Sequence, residues 1–251
     1  MTQLKIRPVN PTVGAFVEGA DLRQPLADAQ IAQIHQALLD HHVLFFRDQD
    51  IDHEQHLRFG RYFGDLHIHP AAAKLQDHPE FLRIHADATS RGVAGQGWHS
   101  DVSCDAEPPD GSILHLHVVP DSGGDTMFAN TCAAFDTLSP AMQAFLSELS
   151  ATHSGAHVFN TKAYPEGKLL PESVHPVVRT HPQSGRQSLF VNRGFTTRIN
   201  ELARAESEAL LEFLWRHIEQ PVFHVRFQWQ PHSIAYWDNR AVQHLAVWDY
   251  F

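Results

Sequence analysis

Apolar residues recur along this chain with two distinct spacings. Ile31, Ile34 and Leu38 lie three and four residues apart, which predicts a helix with one buried face, capped at its start by Asp28. Apolar and polar residues alternate strictly over residues 223–229, which predicts a strand with one buried face. The sequence therefore predicts both kinds of amphipathic element.

Most of the remaining signals are typical of strands. A continuous apolar run at residues 43–46 predicts a buried strand, and residues 113–118 alternate as a further short strand. Helices are fewer: Asp52 with Gln55 three residues later is a capping-box signature, and residues 205–218 carry leucines at helical spacing. Many short strands with few helices predict a mainly β fold with helical insertions, either a barrel or a jelly roll.

Composition indicates a globular protein with one domain. Of the 251 residues, 43% are hydrophobic and 19% are charged, and no segment is of low complexity. A β-barrel or sandwich of this length is commonly undivided. We therefore predict a single domain over residues 1–251.

Charge and cysteine content narrow the partners and the compartment. A net charge of −10 and the lack of a Lys/Arg cluster argue against nucleic acid and favour a small-molecule partner. No run approaches the roughly 18 apolar residues of a membrane span, and the first residues lack a signal-peptide core, so no membrane association is expected. Two cysteines, Cys104 and Cys132, are too few for a disulfide framework and fit a cytoplasmic protein.

The main candidate for chemistry is the tetrapeptide Trp-His-Ser-Asp at residues 98–101. In an extended segment His99 and Asp101 point to the same side, so they supply half of a metal site. The third ligand must come from elsewhere, and His244 is our candidate because it follows an apolar run and a turn-like Trp-Asp-Asn at 237–239. Two histidines and one carboxylate form the facial triad of non-haem Fe(II), which leaves positions open for a co-substrate and oxygen. The His-x-Asp pattern alone also occurs by chance on protein surfaces.

Most of the twenty histidines are expected to be bystanders. His115 and His117 lie two residues apart and are able to ligate a metal ion, but no carboxylate lies nearby in the sequence. For this pair we favour the polar face of a half-exposed strand. His69 also follows another histidine at this spacing, and it precedes a proline that would hold its ring at a loop base facing the metal site.

Several motifs occur in a characteristic order and at suitable separations. They are Trp-His-Ser-Asp at 98–101, Gly-Gly-Asp-Thr at 123–126, His-Pro at 181–182, Phe-Val-Asn at 190–192, Gly-Phe-Thr-Thr-Arg at 194–198 and Trp-Asp-Asn-Arg at 237–240. Together with His244 they resemble the taurine dioxygenase family of Fe(II)- and 2-oxoglutarate-dependent dioxygenases, over nearly the whole chain.

The resemblance implies a fold, a set of cofactors and a set of ligands. The implied fold is a double-stranded β-helix, or jelly roll. His99, Asp101 and His244 would bind Fe(II), and Thr126 would contact the carboxylate of 2-oxoglutarate, which is decarboxylated to succinate with O2 as the other co-substrate. A homo-oligomer is also expected.

The resemblance extends to the substrate pocket, with differences. His69, Phe159 and Phe195 match substrate-contacting residues of the family. Taurine dioxygenase has a tyrosine, an asparagine and a phenylalanine at the positions of Ala72, Gly95 and Cys104. These three replacements make the pocket roomier and less polar. We therefore expect a small anionic organic substrate other than taurine itself, namely a sulfonate, a sulfate ester or an aryloxyalkanoate.

One family feature is missing after His244. The family has an arginine beyond this histidine that pairs with the far carboxylate of 2-oxoglutarate, a role that suits a bidentate guanidinium. Here the sequence ends at Phe251, seven residues after His244 and before the position where the family has this arginine. We therefore expect this chain to lack its C-terminal end, and to bind 2-oxoglutarate weakly as it stands.

Two other functions are compatible with the same ligands. Two histidines and a carboxylate also suit catalytic zinc, so a zinc hydrolase is one alternative, although no motif supplies its general base. A non-catalytic jelly roll that binds a metal ion or a ligand is the other alternative, because the arginine is missing.

Overall fold

The computed structural model describes residues 3–69, 78–159 and 170–250, which form thirteen strands and five α-helices. The strands are β1 (Lys5–Pro8), β2 (Ala15–Glu18), β3 (Val43–Phe46), β4 (Gly111–Leu116), β5 (Thr126–Asn130), β6 (Ser150–Ser154), β7 (Glu172–Pro176), β8 (Val178–Thr180), β9 (Gln187–Leu189), β10 (Thr196–Ile199), β11 (His224–Phe227), β12 (Ser233–Asp238) and β13 (Val242–Ala246). The helices are α1 (Asp28–His41), α2 (His53–Arg61), α3 (Thr131–Asp136), α4 (Pro140–Ser147) and α5 (Arg204–Ile218). The predicted mainly β fold with helical insertions is confirmed. Among the described helices, none is long and apolar enough to cross a membrane.

The largest sheet contains five strands in the order β1-β2-β3-β12-β4. All four residues of β3 are buried, because both faces of the sheet are covered at this point. β12 pairs antiparallel with β3 on one side and with β4 on the other, so that Ile234 lies opposite both Phe46 and His115. The buried strand predicted at residues 43–46 is confirmed.

Alternate side chains of β3 enter two different apolar clusters. Phe46 packs with Ile34 of α1 and with residues of α2, so the two helices cover one face of the sheet. Phe45 points to the other face, where its ring stacks on Phe227 at a centroid distance of 4.0 Å and contacts Phe128. Because Phe227 and Phe128 belong to the three-stranded sheet β11-β5-β13, this second sheet faces the first across an apolar interior.

The remaining strands form a sheet in the order β10-β6-β7 and the hairpin β8-β9. Helices α3, α4 and α5 contribute to the apolar cluster beside them, for example through Leu146 and Leu214. Trp98 belongs to the same cluster and is 9% exposed. Its burial fixes the backbone directly before His99.

The starts of the first two helices differ from each other in their capping. In α2 the predicted capping box is confirmed: Asp52 Oδ1 accepts from the Gln55 N–H at 2.8 Å, and Gln55 Oε1 accepts from the Asp52 N–H at 3.0 Å. The prediction that Asp28 caps α1 is wrong, because Asp28 is the first helical residue and Ala27 occupies the cap. Gln30 Oε1 accepts from the Ala27 N–H at 3.1 Å, so a side chain inside the helix satisfies that donor.

Candidate active site

His99 and His244 lie directly opposite each other on two antiparallel segments. The His99 N–H donates to the His244 carbonyl at 3.1 Å, and the His244 N–H donates back to the His99 carbonyl at 2.8 Å. Ser100 Oγ adds a hydrogen bond of 2.9 Å to the Val242 carbonyl. Because opposed residues on antiparallel strands point to the same face, the two imidazole rings come together with centroids 4.1 Å apart.

Asp101 completes a cluster with these two histidines. Its Oδ1 lies 3.5 Å from His99 Nε2 and 3.7 Å from His244 Nε2. One ligand atom from each of the three residues lies within 4.8 Å of the others. Facial ligands placed about 2.1 Å from one ion are about 3 Å apart, so the observed spacing needs only a small contraction around a cation. The three predicted ligands are therefore brought together.

Hydrogen bonds orient two of these three side chains. His99 Nδ1 lies 2.8 Å from the Gly97 carbonyl, which can only accept, so Nδ1 carries the proton and Nε2 keeps its lone pair for the cluster. Ser112 Oγ donates to Asp101 Oδ2 at 2.6 Å, which leaves Oδ1 facing the histidines. Partners of this kind fix the orientation and basicity of metal ligands.

Asn239 links this site to the turn after β12. Its Oδ1 accepts from the Asp101 N–H at 3.2 Å and from Trp237 Nε1 at 3.0 Å, while its Nδ2 donates to Ser112 Oγ at 2.9 Å. In the sequence, residues 237–239 predict a turn before His244 and form part of the Trp-Asp-Asn-Arg motif of the family resemblance, whereas Ser112 belongs to no motif. A serine in an alternating strand carries no distinctive signal, whereas the Trp-Asp-Asn motif is the available clue to Asn239.

A buried carboxylate holds the same turn from its other side. Asp238 is 1% exposed, and Arg240 donates to it from Nε at 2.8 Å and from Nη2 at 2.7 Å. His181 Nε2 lies 2.9 Å from Asp238 Oδ2. Burial by itself would raise the pKa of Asp238, but the hydrogen bonds and charges of Arg240 and His181 outweigh it and lower the pKa to about 2. The ionised network fixes the direction in which β13 carries His244.

The protonation states in the cluster suit a cation. Burial, together with the nearby His99, lowers the pKa of His244 to about 3, so its ring is neutral near pH 7. Burial opposes ionisation of Asp101, but attraction to the two imidazoles and the Ser112 hydrogen bond hold its pKa well below the usual range. Burial also disfavours a charged His99, yet the contact with Asp101 raises the pKa of His99. A cation at Nε2 would take the place of the second proton that Asp101 favours on His99.

His244 supplies a further test of the fit. Its Nδ1 is buried, and the described part of the chain gives that atom no hydrogen-bond partner. Its Nε2 has the Asp101 carboxylate at 3.7 Å, which is too long for a hydrogen bond. A buried imidazole without a polar partner is costly, and coordination of a cation by Nε2 would give this ring one. The two histidines and the carboxylate therefore fit a divalent transition-metal ion.

Thr126, the predicted 2-oxoglutarate contact, lies on the same side of its sheet as His244. In the pairing of β5 with β13, Phe128 is opposite His244 and Thr126 is opposite Ala246. Residues two apart on a strand share a face and are about 7 Å apart. The buried Thr126 hydroxyl accepts from Trp229 Nε1 at 2.9 Å, so its own proton is directed away from the indole and can be donated elsewhere.

The Gly-Gly turn before Thr126 packs against the C-terminal segment. Gly123 has a φ of +75°, and a Cβ at this position would clash with the Asp249 carboxylate. The Gly124 N–H donates to Asp249 Oδ1 at 2.8 Å. Arg226, in the strand beside Thr126, pairs with Asp125 at 2.5 Å and with Asp249 at 3.0 Å. This guanidinium is therefore already neutralised by two carboxylates.

The rings of the three predicted substrate residues form a row that ends at the cluster of His99, Asp101 and His244. His69 and Phe159 contact edge to face with centroids 5.5 Å apart, and Phe159 and Phe195 are 5.7 Å apart. Phe195 in turn lies 6.4 Å from the ring of His99. Cys104 is fully buried in the same apolar cluster as the two phenylalanines. The structure thus places all three residues on one side of the candidate metal ligands.

The two remaining positions of the predicted pocket are Gly95 and Ala72. Gly95 has a φ of +81°, and a Cβ there would lie 3.0 Å from Cε1 of His99, so the backbone passes directly beside the His99 ring. Ala72 lies outside the described residues.

Comparison with known proteins identifies the family. A model of the family described as "Taurine catabolism dioxygenase TauD, TfdA family" matches residues 5–250. The alpha-ketoglutarate-dependent sulfonate dioxygenase of Saccharomyces cerevisiae is 38% identical over 99% of this chain. The chain spans 64% of the length of that relative.

Other relatives carry different substrate names. The alpha-ketoglutarate-dependent sulfate ester dioxygenase of Pseudomonas putida is 33% identical, over 99% of this chain and 85% of the relative. The alpha-ketoglutarate-dependent 2,4-dichlorophenoxyacetate dioxygenase of Cupriavidus pinatubonensis is 32% identical, over 94% of this chain and 90% of the relative.

The fold agrees with this relationship. The crystal structure of a taurine dioxygenase from Burkholderia xenovorans superposes with a TM-score of 0.86 at 36% identity, covering 99% of this chain and 85% of that one. The predicted family resemblance is thus confirmed, and with it the set of Fe(II), 2-oxoglutarate and O2 on which such dioxygenases depend. The chain belongs to the TauD/TfdA family of taurine catabolism dioxygenases.

Proposed function

We propose that this protein is an Fe(II)- and 2-oxoglutarate-dependent dioxygenase that hydroxylates a small anionic organic molecule and converts 2-oxoglutarate to succinate. The observation that carries the proposal is the meeting of His99, Asp101 and His244, with ligand atoms within 4.8 Å, in a member of this family. Two histidines and one carboxylate on one face leave positions open for a bidentate 2-oxo acid and for oxygen.

His99, Asp101 and His244 would hold the iron, and each has a defined task. The hydrogen bond from His99 Nδ1 to the Gly97 carbonyl selects the neutral tautomer with its lone pair on Nε2, and Ser112 holds the Asp101 carboxylate with Oδ1 inward. Burial keeps His244 neutral, so that it presents a lone pair. When bound, Fe(II) supplies the redox chemistry with O2 that side chains lack.

Thr126 is proposed to hold a carboxylate of 2-oxoglutarate. Its hydroxyl accepts from the Trp229 indole, which orients the hydroxyl and leaves its proton for an anionic acceptor on the His244 side of β5. A donor to a carboxylate contributes roughly 1.5 to 3 kcal/mol in such a site.

His69, Phe159 and Phe195 are proposed to contact the substrate. Burial lowers the pKa of His69, so its imidazole is neutral at pH 7 and donates one N–H to an anionic head group. The two phenyl rings give an apolar wall between His69 and His99. The names of the relatives support a sulfonate, a sulfate ester or an aryloxyalkanoate as the substrate class.

The pocket is proposed to favour anions larger and more apolar than taurine. Gly95 offers no polar group beside His99, and Cys104 is part of the apolar cluster with Phe159 and Phe195. A polar group that enters without a partner loses roughly 1 to 3 kcal/mol, whereas apolar area gains stability by burial. Succinate release with taurine and with longer alkyl and aryl anions tests this. Greater stimulation by taurine than by every larger anion would show that the pocket is wrongly assigned.

The experiment that tests the function is anaerobic addition of Fe(II) and 2-oxoglutarate. A weak visible charge-transfer band is expected in the native protein, followed by succinate formation when oxygen and an anionic substrate are added. Asp101→Ala should abolish both signals without unfolding the protein, whereas the exposed Asp121→Ala should leave both unchanged. Substantial succinate formation by Asp101→Ala would refute the ligand assignment. A zinc hydrolase or a non-catalytic binding protein would give no band.

The wider architecture is proposed from the same family membership. We propose that the opposed sheets form a double-stranded β-helix, or jelly roll, in one domain over residues 1–251, as supported by the Phe45–Phe227 stack between them. Two buried free thiols, Cys104 and Cys132, favour a cytoplasmic location. The expected homo-oligomer remains a prediction. Size-exclusion chromatography with light scattering, which measures the molar mass in solution, tests it.

A further inference from the structure

Three histidines form a second cluster at the outer end of β4. His115 lies on β4, His117 directly follows it, and His232 lies in the turn that leads into β12. One ring nitrogen from each of the three lies within 4.8 Å of the others. The same limit of 4.8 Å holds for the cluster of His99, Asp101 and His244. The two clusters have no residue in common.

The backbone determines this convergence. His115 and His117 are two residues apart on an extended segment, so both point to one face, with ring centroids 4.2 Å apart. The pairing of β4 with β12 sets Leu116 opposite Ser233, and the His232 N–H donates to the Leu116 carbonyl at 2.9 Å. The His232 ring therefore comes to 6.1 Å from that of His115 and 6.4 Å from that of His117.

His232 has a left-handed backbone conformation, which histidine adopts more often than most residues with a Cβ. Its φ is +58°, in the left-handed region that residues with a Cβ seldom occupy. Such a conformation is costly unless the surroundings impose it, and it often accompanies a functional constraint. The His232 ring lies beside the other two rings, and its Nδ1 is 3.2 Å from Asp50 Oδ1.

His115 presents an unsatisfied nitrogen within this cluster. Its side chain is only 9% exposed, and its Nε2 is buried without a hydrogen-bond partner among the residues that the structure describes. Burial, reinforced by the neighbouring imidazoles of His117, His56 and His232, lowers the pKa of His115 to about 4. The ring is therefore neutral near pH 7 and carries a lone pair with no acceptor role to fill. Buried polar atoms of this kind call for an explanation, and an ion is one of the usual ones.

We propose that His115, His117 and His232 form a second metal site, selective for Zn²⁺ or a similar divalent transition-metal ion. Neutral imidazoles suit zinc, copper and nickel, whereas magnesium and calcium require oxygen ligands that this set does not offer. Three histidine ligands leave a fourth tetrahedral position, and His117 is exposed, so that position faces solvent.

The second site is separate from the candidate iron site. Ser112, which bonds to Asp101, lies near the beginning of β4, and His117 follows its end, five residues on. At about 3.3 Å per residue the two lie roughly 16 Å apart. Alternation along the strand also directs Ser112 to one face of the sheet and His115 to the other, so the sites cannot share an ion.

The test is the number of Zn²⁺ ions bound per full-length chain, measured by equilibrium dialysis and elemental analysis at pH 7.5. We expect two ions for the native protein, one for Asp101→Ala, one for His117→Ala and none for the double variant. Loss of one direct ligand should weaken binding by at least about 100-fold, since loss of outer partners alone costs 10- to 100-fold. His85→Ala, an exposed histidine outside both clusters, should still bind two ions.

A second variant and a second measurement keep the test independent of folding defects. His232→Asn removes the imidazole but tolerates the left-handed backbone, so it should lose the same ion as His117→Ala while keeping its circular dichroism spectrum. Zn²⁺ should raise the melting temperature of Asp101→Ala but not that of Asp101→Ala/His117→Ala. Equal binding of Zn²⁺ by Asp101→Ala and the double variant would overturn the proposal. An effect of His117→Ala without any effect of Asp101→Ala would instead uphold this site and contradict the iron ligands.

Discussion

Replacing Ser112 by alanine tests whether a neighbouring hydrogen bond determines the affinity of the candidate iron site. The Ser112 hydroxyl donates to Asp101 Oδ2 at 2.6 Å and accepts from Asn239 Nδ2 at 2.9 Å. Ser112→Ala would leave the Asp101 carboxylate able to rotate away from His99 and His244. It would also leave the buried Asn239 amide without its partner.

The expected size of the effect follows from the charge on Asp101. A hydrogen bond to an ionised group contributes roughly 1.5 to 3 kcal/mol, which corresponds to about 10- to 150-fold in a dissociation constant. Outer partners of metal ligands usually change affinity by 10- to 100-fold, in the same range. We therefore expect Fe(II) to bind Ser112→Ala between about 10 and 100 times more weakly than the native protein.

The assay is anaerobic titration with Fe(II) at saturating 2-oxoglutarate, followed by the charge-transfer band. Ser112→Thr retains the hydroxyl and suits a strand, so it should restore most of the affinity. Ser147→Ala serves as the matched control, because it removes a serine hydroxyl bonded to the Gln143 carbonyl on an exposed helix far along the chain. If Ser112→Ala bound Fe(II) as tightly as the native protein, the orienting role of this hydroxyl would be refuted.

Four further predictions concern stability, its pH dependence, the backbone and the pocket. Asp238→Asn should lower the free energy of unfolding in urea by about 1.5 to 3 kcal/mol, because it removes the buried carboxylate that accepts from Arg240 and leaves the exposed Asp110 as its counterion. The pKa of Asp238 is about 2 in the folded protein, against about 3.9 in the unfolded chain. This difference stabilises the folded state by roughly 2.5 kcal/mol above pH 4, and urea titrations should show that this stabilisation is lost between pH 4 and 2. Gly95→Ala should weaken Fe(II) binding, since its φ is positive and its Cβ meets the His99 ring, and unchanged affinity would contradict this contact. Phe159→Ala should raise KM for aryl anions more than for methanesulfonate, and an equal rise would remove Phe159 from the pocket wall.

Sequence information was sufficient for the elements whose signal is local. The apolar run at 43–46 predicts a buried strand because only burial on both faces explains it, and the Asp52 capping box depends on residues three apart. The cap of α1 shows the limit of this reasoning. Asp28 is a good capping residue, but it is the first residue of the helix, and Ala27 is the cap, with its N–H donating to Gln30 Oε1.

The convergence of His99, Asp101 and His244 could be predicted because residue type, order and family resemblance agreed. Ser112 and His232 could not be predicted in the same way. Each acts through the pairing of β4 with β12, which is set by packing between distant parts of the chain. The preference for a plain polar face at His115 and His117 rested on those two residues alone, and the third histidine becomes visible only in the folded sheet.

The register of β4 against β12 therefore affects both proposed metal sites at once. In the observed register Ser112 lies opposite Trp237 at one end of β4, and Leu116 lies opposite Ser233 at the other end. A slip of one residue would turn every side chain of β4 to the opposite face, so that Ser112 would leave Asp101 while His115 entered the apolar interior. Leu114 and Leu116 pack on the interior side and Ile113 packs towards the helices, so this slip would also exchange apolar for polar residues on both faces. The apolar alternation of one short strand thus fixes the register on which both sets of ligands depend.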